Sequence, residues 1–264
     1  MIDDKLLGVF CEQGYLRLGR LLEDQDLSAL RHRIDAIMMG SADVPYSQMP
    51  MQLDPSANPP ARLSGVDNGH KLATLAYRKV QGLELDSLFF SYLSRPVFAD
   101  LCRRVYGEGT AISCMRAMFM NKPAGGGTDL RWHQDRWTHL DRDPQITVWT
   151  ALDPTTISNG CVEIVPRSHR QLRNSIDASG FLDSEQIHHL DQQIRSGDYG
   201  CETVHLELEE GEAVLLHNWT LHRSGTNATD TSRRAFSVCY MDAATRSLRG
   251  SSFSSVFGSQ GRVL

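Results

Sequence analysis

The sequence predicts a mainly β protein in which N-terminal helices pack on a C-terminal jelly roll. Helical periodicity dominates the region before Thr110, and most of the chain after it consists of short alternating or apolar runs separated by turn residues. Strands at such spacing are typical of an antiparallel sandwich or barrel. We therefore expect one domain over residues 1–264, with helical support and lid segments at 1–110, a jelly-roll core at 111–242 and a tail at 243–264.

The N-terminal region shows helical spacing before a proline-rich break. The first forty residues are predicted to be helical from the spacing of Leu27, Leu30, Ile34, Ile37 and Met38. Prolines then interrupt residues 40–69, which favours a functional loop or a disordered segment. A second helical region follows, with its apolar face formed by Leu85, Leu88, Phe89 and Leu93. Pro96 starts a further helix that Gly107 ends.

Six runs in the C-terminal half are predicted to be strands: 111–121, 145–152, 160–165, 203–208, 212–216 and 234–241. One long insertion, 168–200, interrupts them and carries a predicted helix at 184–194. Because it lies between strands, this insertion is a candidate cover for an active site. The serine-rich segment 251–255 is predicted to be mobile.

Composition narrows the function classes. A net charge of −5 gives no reason to expect a nucleic-acid or membrane-surface partner. No apolar run is long enough to span a bilayer, and the acidic start Met1–Lys5 lacks the features of a signal peptide. We expect a cytoplasmic monomer that binds a small molecule. The six scattered cysteines form no CxxC pair and are expected to be buried and reduced.

A candidate metal site lies in the C-terminal half. Residues i and i+2 of a strand point to the same face, so His133 and Asp135 can direct an imidazole nitrogen and a carboxylate oxygen at one point. His222 supplies a third ligand after a long gap. Two histidines and one carboxylate leave open positions for a bidentate 2-oxo acid and O₂, as in non-haem Fe(II) oxygenases. His217 is the rival third ligand, and we interpret it as a structural histidine at a strand end.

The other histidines near these motifs and in the insertion are not interpreted as metal ligands. His139 and His169 are interpreted as hydrogen-bonding loop residues, and His188 with His189 as surface residues.

An arginine downstream strengthens the metal hypothesis. Arg233 lies eleven residues after His222, at the start of an apolar strand. Its guanidinium can hold the far carboxylate of 2-oxoglutarate in a bidentate fork, and Ser224 can add a hydroxyl. Arg234 is the competitor, and strand alternation allows only one of the two arginines to point inward.

The chain resembles the phytanoyl-CoA dioxygenase (PhyH) family of Fe(II)/2-oxoglutarate oxygenases from about residue 10 to 241. The segments that carry the resemblance are 118–123, 132–135, 148–152, 159–169 and 222–227, together with Arg233. The resemblance implies a double-stranded β-helix, a form of the jelly roll. It also implies iron ligands at His133, Asp135 and His222, and 2-oxoglutarate contacts at Lys122, Trp149, Ser224 and Arg233.

The reaction that the resemblance implies consumes 2-oxoglutarate and O₂, releases succinate and CO₂, and hydroxylates an unactivated C–H bond. Desaturation, epimerisation and ring closure stay open, because the first hydrogen abstraction is shared. Asp135 favours oxygenation over halogenation, since related halogenases carry a small residue there. Two further alternatives are a jelly-roll binding protein without catalysis and a metal enzyme that does not use 2-oxoglutarate.

Two residues are candidate substrate contacts, Arg116 and Trp137. Counting back by twos from Lys122 places Arg116 and Cys114 on the cavity face, if the strand has no bulge. Arg116 either binds a substrate carboxylate or phosphate or pairs with a structural acid such as Glu163. Of Trp132 and Trp137, one is expected to shield the metal and the other to pack.

Overall fold

The computed structural model describes residues 2–55, 68–171, 181–199 and 202–258. Within these ranges the helices are α1 (Asp4–Gln13), α2 (Asp24–Met38), α3 (Ser87–Leu93), α4 (Pro96–Tyr106) and α5 (Ser184–Ser196). The strands are β1 (Tyr15–Arg20), β2 (Met51–Leu53), β3 (Tyr77–Gln81), β4 (Ile112–Lys122), β5 (Leu130–His133), β6 (Ile146–Ala151), β7 (Val162–Ile164), β8 (Val204–Leu206), β9 (Glu212–His217), β10 (His222–Ser224), β11 (Arg233–Asp242) and β12 (Ser254–Phe257).

The strands form two antiparallel sheets. The larger has the order β1-β9-β6-β11-β4-β3-β2, with β12 also paired to β4, and the smaller has the order β5-β10-β7-β8. An apolar cluster joins the two sheets, with Trp149 and Val214 from the larger and Ile164 and Leu206 from the smaller. Two facing sheets joined by one core are the predicted jelly roll, which the structure confirms.

The helical layer covers the outer face of the larger sheet. The buried side of α2 consists of the five residues that the spacing predicts: Leu27, Leu30, Ile34, Ile37 and Met38. Pro96 begins α4, where its missing N–H removes no helical hydrogen bond. Gly107 ends that helix, and its N–H donates to the Arg103 carbonyl. The same core contains Phe236 and Tyr240 of β11, so the helices bury the face of β11 that points away from the smaller sheet.

α5 packs on the opposite side of the molecule. Its buried Leu190 joins a cluster with Trp132, Leu182 and Leu221 behind the smaller sheet. The predicted helix in the insertion is therefore confirmed, but it supports the smaller sheet from behind. Phe181, just before α5, is the described residue of this insertion that lines the cavity between the sheets.

Several N-terminal expectations are wrong in detail. The first forty residues are not all helical, because Tyr15–Arg20 forms an edge strand against β9. The proline-rich stretch contains a 3₁₀ turn at Tyr46–Gln48 and the short strand β2, while residues 56–67 lie outside the described ranges. Leu85 is exposed, because a 3₁₀ turn at Leu83–Leu85 precedes α3 and breaks the predicted apolar face.

Two C-terminal expectations also need correction. The serine-rich segment is ordered in part, since β12 pairs with β4 along Ile112 to Cys114. Among the cysteines, Cys11 is exposed, four others are buried and unpaired, and Cys201 lies outside the described ranges.

Within the part of the chain that the structure describes, no helix is long and apolar enough to cross a membrane.

Candidate metal centre and active-site cavity

The predicted metal ligands meet in the cavity between the two sheets. His222 begins β10 and lies directly opposite His133, the last residue of β5. The candidate ligand atoms of His133, Asp135 and His222 all lie within 4.8 Å of one another. Asp135 follows the end of β5 and is held by a loop, so strand alternation alone does not explain its direction. Its backbone N–H donates to the Asn218 carbonyl at 2.8 Å and fixes the loop.

Backbone hydrogen bonds prepare both histidines for metal binding. Nδ1 of His133 lies 2.8 Å from the Arg131 carbonyl, and Nδ1 of His222 lies 2.8 Å from the Thr220 carbonyl. A carbonyl oxygen only accepts, so Nδ1 carries the proton and donates in each ring. This leaves each Nε2 with a free lone pair, the form in which an imidazole binds a metal.

The electrostatics of the cluster suit a cation. Burial, followed by the neighbouring His222, lowers the pKa of His133 to about 3, so that ring is neutral near pH 7. Burial alone would raise the pKa of Asp135. The charge of Arg116 and the two imidazoles outweigh burial and hold that pKa below its ordinary value. The donor set of two imidazoles and one carboxylate fits Fe(II).

Two residues that sequence reasoning missed support the ligands from behind. The Asn218 side chain accepts from Thr147 at 2.7 Å and donates to the Pro144 carbonyl at 2.9 Å. Gln134, between the two ligands, turns away and donates to the Trp219 carbonyl at 2.6 Å. Its place between His133 and Asp135 was a usable signal, because alternation predicts an opposite face. Nothing in the sequence marked Asn218.

Arg233 forms the floor of the cavity, as predicted. It is buried, donates one bond to the Gly160 carbonyl at 2.9 Å, and stacks over Trp149 with its guanidinium carbon 5.6 Å from the ring centre. Arg234 points outward to Asp153 and Asp35. The competition between the two arginines is thus resolved as expected from alternation.

The floor contains unused hydrogen-bond donors. Arg233 makes no ion pair with the described residues, and its Nε is buried without a partner there, as is Nε1 of Trp149. The Ser224 side chain is also buried beside them. A buried donor without a hydrogen-bond partner lowers the stability of the folded protein, and a bound carboxylate would supply the missing acceptor. The site therefore fits the far carboxylate of 2-oxoglutarate.

Lys122 and Lys79 add positive charge near this floor. Lys122 of β4 lies directly opposite Arg233 of β11 in the sheet, and its ammonium donates to the Thr128 carbonyl at 2.6 Å. Burial and the charge of Arg233 lower the pKa of Lys122 to about 7. Lys79 on β3 faces both the metal cluster and the floor, and burial, Arg116 and Arg78 lower its pKa to about 8.

Arg116 faces the cavity because the two-residue alternation along β4 is unbroken from Lys122 back to Arg116, and a bulge interrupts it only before Arg116. Arg116 is opposite Cys239 of β11, but the next pair is Cys114 with Tyr240, so Met115 is skipped. The two-residue alternation therefore reverses, and Cys114 joins the core beneath the helices. The prediction that Cys114 shares the cavity face is wrong, whereas the prediction for Arg116 is confirmed.

The partner of Arg116 is a predicted metal ligand. Its Nη2 donates to Oδ2 of Asp135 at 3.2 Å, and its guanidinium carbon lies 5.2 Å from the ring centre of Trp137. The expected alternative partner, Glu163, pairs with Arg223 at 2.6 Å. Trp137 lines the cavity, and Trp132 packs beneath Arg223 behind the smaller sheet.

The other histidines have structural roles in the described chain. His217 ends β9, lines the cavity and accepts from the Trp219 N–H at 3.1 Å, outside the ligand cluster. Burial, with His169 nearby, lowers the pKa of His217 to about 4. His169 lies 3.1 Å from the Cys11 carbonyl, while His188 and His189 are exposed on α5.

Comparison with known proteins agrees with this arrangement. The family model for phytanoyl-CoA dioxygenase (PhyH) matches residues 10–235. A probable phytanoyl-CoA dioxygenase of Caenorhabditis elegans is 25% identical over 235 residues, which cover 87% of this chain and 72% of that protein.

Solved structures show the same fold. EctD from S. alaskensis, with 2-oxoglutarate and 5-hydroxyectoine, has a TM-score of 0.72 at 17% identity, covering 93% of this chain and 78% of EctD. The α-ketoglutarate-dependent carbocyclase SnoK from nogalamycin biosynthesis has a TM-score of 0.67 at 18% identity, covering 98% and 94% of the two chains.

Proposed function

Because the chain belongs to the phytanoyl-CoA dioxygenase (PhyH) family and is a 2-oxoglutarate-dependent non-haem iron dioxygenase, we propose that it hydroxylates a small-molecule metabolite. His133, Asp135 and His222 hold Fe(II) in this proposal. The observation that carries it is the meeting of these three ligands above Arg233, a buried cation without an acidic partner among the described residues.

The residues of the floor hold and orient the cosubstrate. Arg233 grips the far carboxylate of 2-oxoglutarate as a fork, and the Ser224 hydroxyl and Trp149 Nε1 are further donors beside it. Lys122 and Lys79 complement its negative charge. Bound Fe(II) supplies the redox chemistry by which O₂ is activated and 2-oxoglutarate is converted to succinate and CO₂.

Hydroxylation is favoured over other outcomes by the retained carboxylate and by the family. Asp135 fills the position that a halide would need, which argues against halogenation. Desaturation, epimerisation and ring closure begin with the same hydrogen removal, and the likeness to a carbocyclase extends to the fold alone. A binding protein without catalysis would have no need to keep two imidazoles in the metal-binding tautomer near a buried guanidinium that has no acidic partner among the described residues.

Anaerobic titration with Fe(II) and 2-oxoglutarate tests the proposal. The unsubstituted protein should develop the weak visible charge-transfer band of a metal-chelated 2-oxo acid. His222→Ala should abolish the band, and His217→Ala, which removes a cavity histidine outside the cluster, should retain it. A folded unsubstituted protein that gives no band would contradict the proposal.

The reaction outcome requires a separate test. With a turned-over compound in hand, the reaction under ¹⁸O₂ should place one labelled oxygen in the product. A product that lacks two hydrogens and contains no label would indicate desaturation or ring closure instead.

A further inference from the structure

We infer that Arg116 is the specificity-determining residue of this enzyme, and that its substrate carries a carboxylate or phosphate group that binds this guanidinium. The inference rests on the proposed function, because it takes the metal and 2-oxoglutarate sites as assigned above. It adds the chemical class of the substrate and the side of the cavity on which the anionic group lies.

The position of Arg116 separates it from the cosubstrate floor. Arg233 and Lys122 lie directly opposite each other at one end of the pairing between β4 and β11. Arg116 lies six residues away along β4, opposite Cys239. At roughly 3.4 Å per strand residue, the Cα atoms of Lys122 and Arg116 lie about 20 Å apart along β4. A molecule the size of 2-oxoglutarate that reaches Arg233 therefore does not also need Arg116.

Among the arginines on the cavity walls, Arg116 is the one whose acidic partner is also a candidate metal ligand. Among the described residues that line the cavity, Asp135 is the only carboxylate. The other two arginines on the cavity walls form ion pairs with acidic residues that do not line the cavity. Arg136 pairs with Asp143, and Arg223 pairs with Glu163. Arg116 has only Asp135, the residue that the metal also requires.

Binding of the metal and of 2-oxoglutarate leaves less of the negative charge of Asp135 available to Arg116. Asp135 then offsets part of the charge of the metal, and the dianionic cosubstrate lies against Arg233 and the two lysines of the floor. The guanidinium of Arg116 then has one bond to a shared carboxylate, and its Nε is buried without a partner in the described chain. A partly buried cation in that state is stabilised by a second anion, which the substrate can supply.

The surroundings of Arg116 are those of a binding surface. Its guanidinium stacks on Trp137, which fixes the plane of the fork, and about a fifth of its side chain is exposed to the cavity. Phe181 lies across the metal cluster, with its ring centre 4.9 Å from that of His133. An anionic group on Arg116 would thus place the remainder of a substrate between Trp137 and Phe181, beside the metal ligands.

Three matched probes test this inference without knowledge of the substrate: benzoate, phenyl phosphate and the uncharged benzamide. The anaerobic Fe(II)·2-oxoglutarate complex is first formed, and each probe is then titrated while the charge-transfer band and tryptophan fluorescence are followed. Benzoate or phenyl phosphate should perturb both signals in a saturable manner, and benzamide should not. The anion that acts at the lower concentration identifies the group that the site prefers.

Variants assign the response to Arg116. Arg116→Gln should weaken binding of the preferred anion about thirtyfold or more and leave the charge-transfer band in place. Arg116→Lys should restore part of the affinity. Arg136→Gln, which removes a wall arginine that has its own acid, should bind the anion as the unsubstituted enzyme does.

Three outcomes would overturn the inference. They are no anion response in the unsubstituted complex, equal anion affinity in Arg116→Gln, or loss of the band itself in that variant, which would make Arg116 a positioning residue for Asp135. Failure of the proposed function is distinct, because the unsubstituted protein would then give no band before any probe is added.

Discussion

His133 and His222 lie directly opposite each other on β5 and β10, with ring centres 4.0 Å apart, and each donates Nδ1–H to a carbonyl two residues earlier. The pairing of two short strands thus sets the distance between the rings, and the backbone sets their tautomers. A metal that binds here ties together strands that are 89 residues apart in the sequence. Metal binding should therefore stabilise the fold as well as enable the reaction.

We expect Fe(II) to raise the thermal stability of the protein under anaerobic conditions. At a metal concentration about a hundred times the dissociation constant, the gain in unfolding free energy should be about 2.7 kcal/mol. His133→Ala should lose this gain because it removes one of three ligands, while His217→Ala should keep it. Equal metal-induced shifts in the unsubstituted protein and His133→Ala would show that the ion binds elsewhere.

Arg233→Lys should weaken 2-oxoglutarate binding about tenfold to a hundredfold although it keeps the positive charge. A lysine ammonium cannot form the planar fork that matches a carboxylate, and it does not stack on Trp149 in the same way. The dissociation constant can be measured by titrating the charge-transfer band.

Arg234→Lys is the matched control for this change. It alters the neighbouring arginine, which points outward to Asp153 and Asp35. We expect lower stability in this variant with an unchanged dissociation constant for 2-oxoglutarate. If the two variants bound 2-oxoglutarate equally well, the assignment of Arg233 to the floor would be wrong.

The sequence predicts the parts of the structure whose signals are local. The apolar face of α2 follows from helical spacing, and alternation requires that only one of Arg233 and Arg234 points inward, which the structure shows to be Arg233. The three candidate metal ligands could be named from His133 and Asp135 together with the resemblance that marked His222. In each case a few neighbouring residues carry the information.

Features that depend on pairing between strands far apart in the sequence could not be predicted from local residue patterns. β1 is a strand because β9, about 200 residues later, pairs with it, and β12 is ordered because it pairs with β4. The bulge at Met115 changes which residues face the cavity, and only the register with β11 reveals it.

Gly160→Ala should destabilise the fold and weaken 2-oxoglutarate binding together. Gly160 has φ +76°, and an added Cβ would lie 2.5 Å from the Gly225 carbonyl oxygen and 2.8 Å from that of Thr226. Both contacts are with backbone, so the loop must move, and its carbonyl is the hydrogen-bond acceptor of Arg233. We expect a loss of about 2–4 kcal/mol in unfolding free energy, measured by denaturant titration.

Gly125→Ala separates the steric effect from the backbone effect. Gly125 also has a positive φ, +63°, but an added Cβ there meets no atom within 4 Å. It should cost about 1 kcal/mol, the ordinary penalty for a left-handed conformation, and leave 2-oxoglutarate binding unchanged. Similar losses in both variants would mean that the packing of Gly160 against residues 225–226 is not a constraint.

The affinity for 2-oxoglutarate should fall as the pH rises from 6 to 9. In the free enzyme the pKa of Lys122 is lowered to about 7 and that of Lys79 to about 8, so both ammonium groups lose their protons within this range. The carboxylates of 2-oxoglutarate stay ionised throughout. Binding favours the charged lysines, so above these pKa values it must take up protons, and the dissociation constant should rise.

Lys122→Arg tests the origin of this dependence, because a guanidinium keeps its charge over the whole range. The dissociation constant of the variant, measured by anaerobic titration of the charge-transfer band at each pH, should change less between pH 6 and pH 8 than that of the unsubstituted enzyme. The remaining rise near pH 8 should disappear when Lys79→Arg is added. A dissociation constant that is flat with pH in the unsubstituted enzyme would show that neither lysine interacts with the cosubstrate.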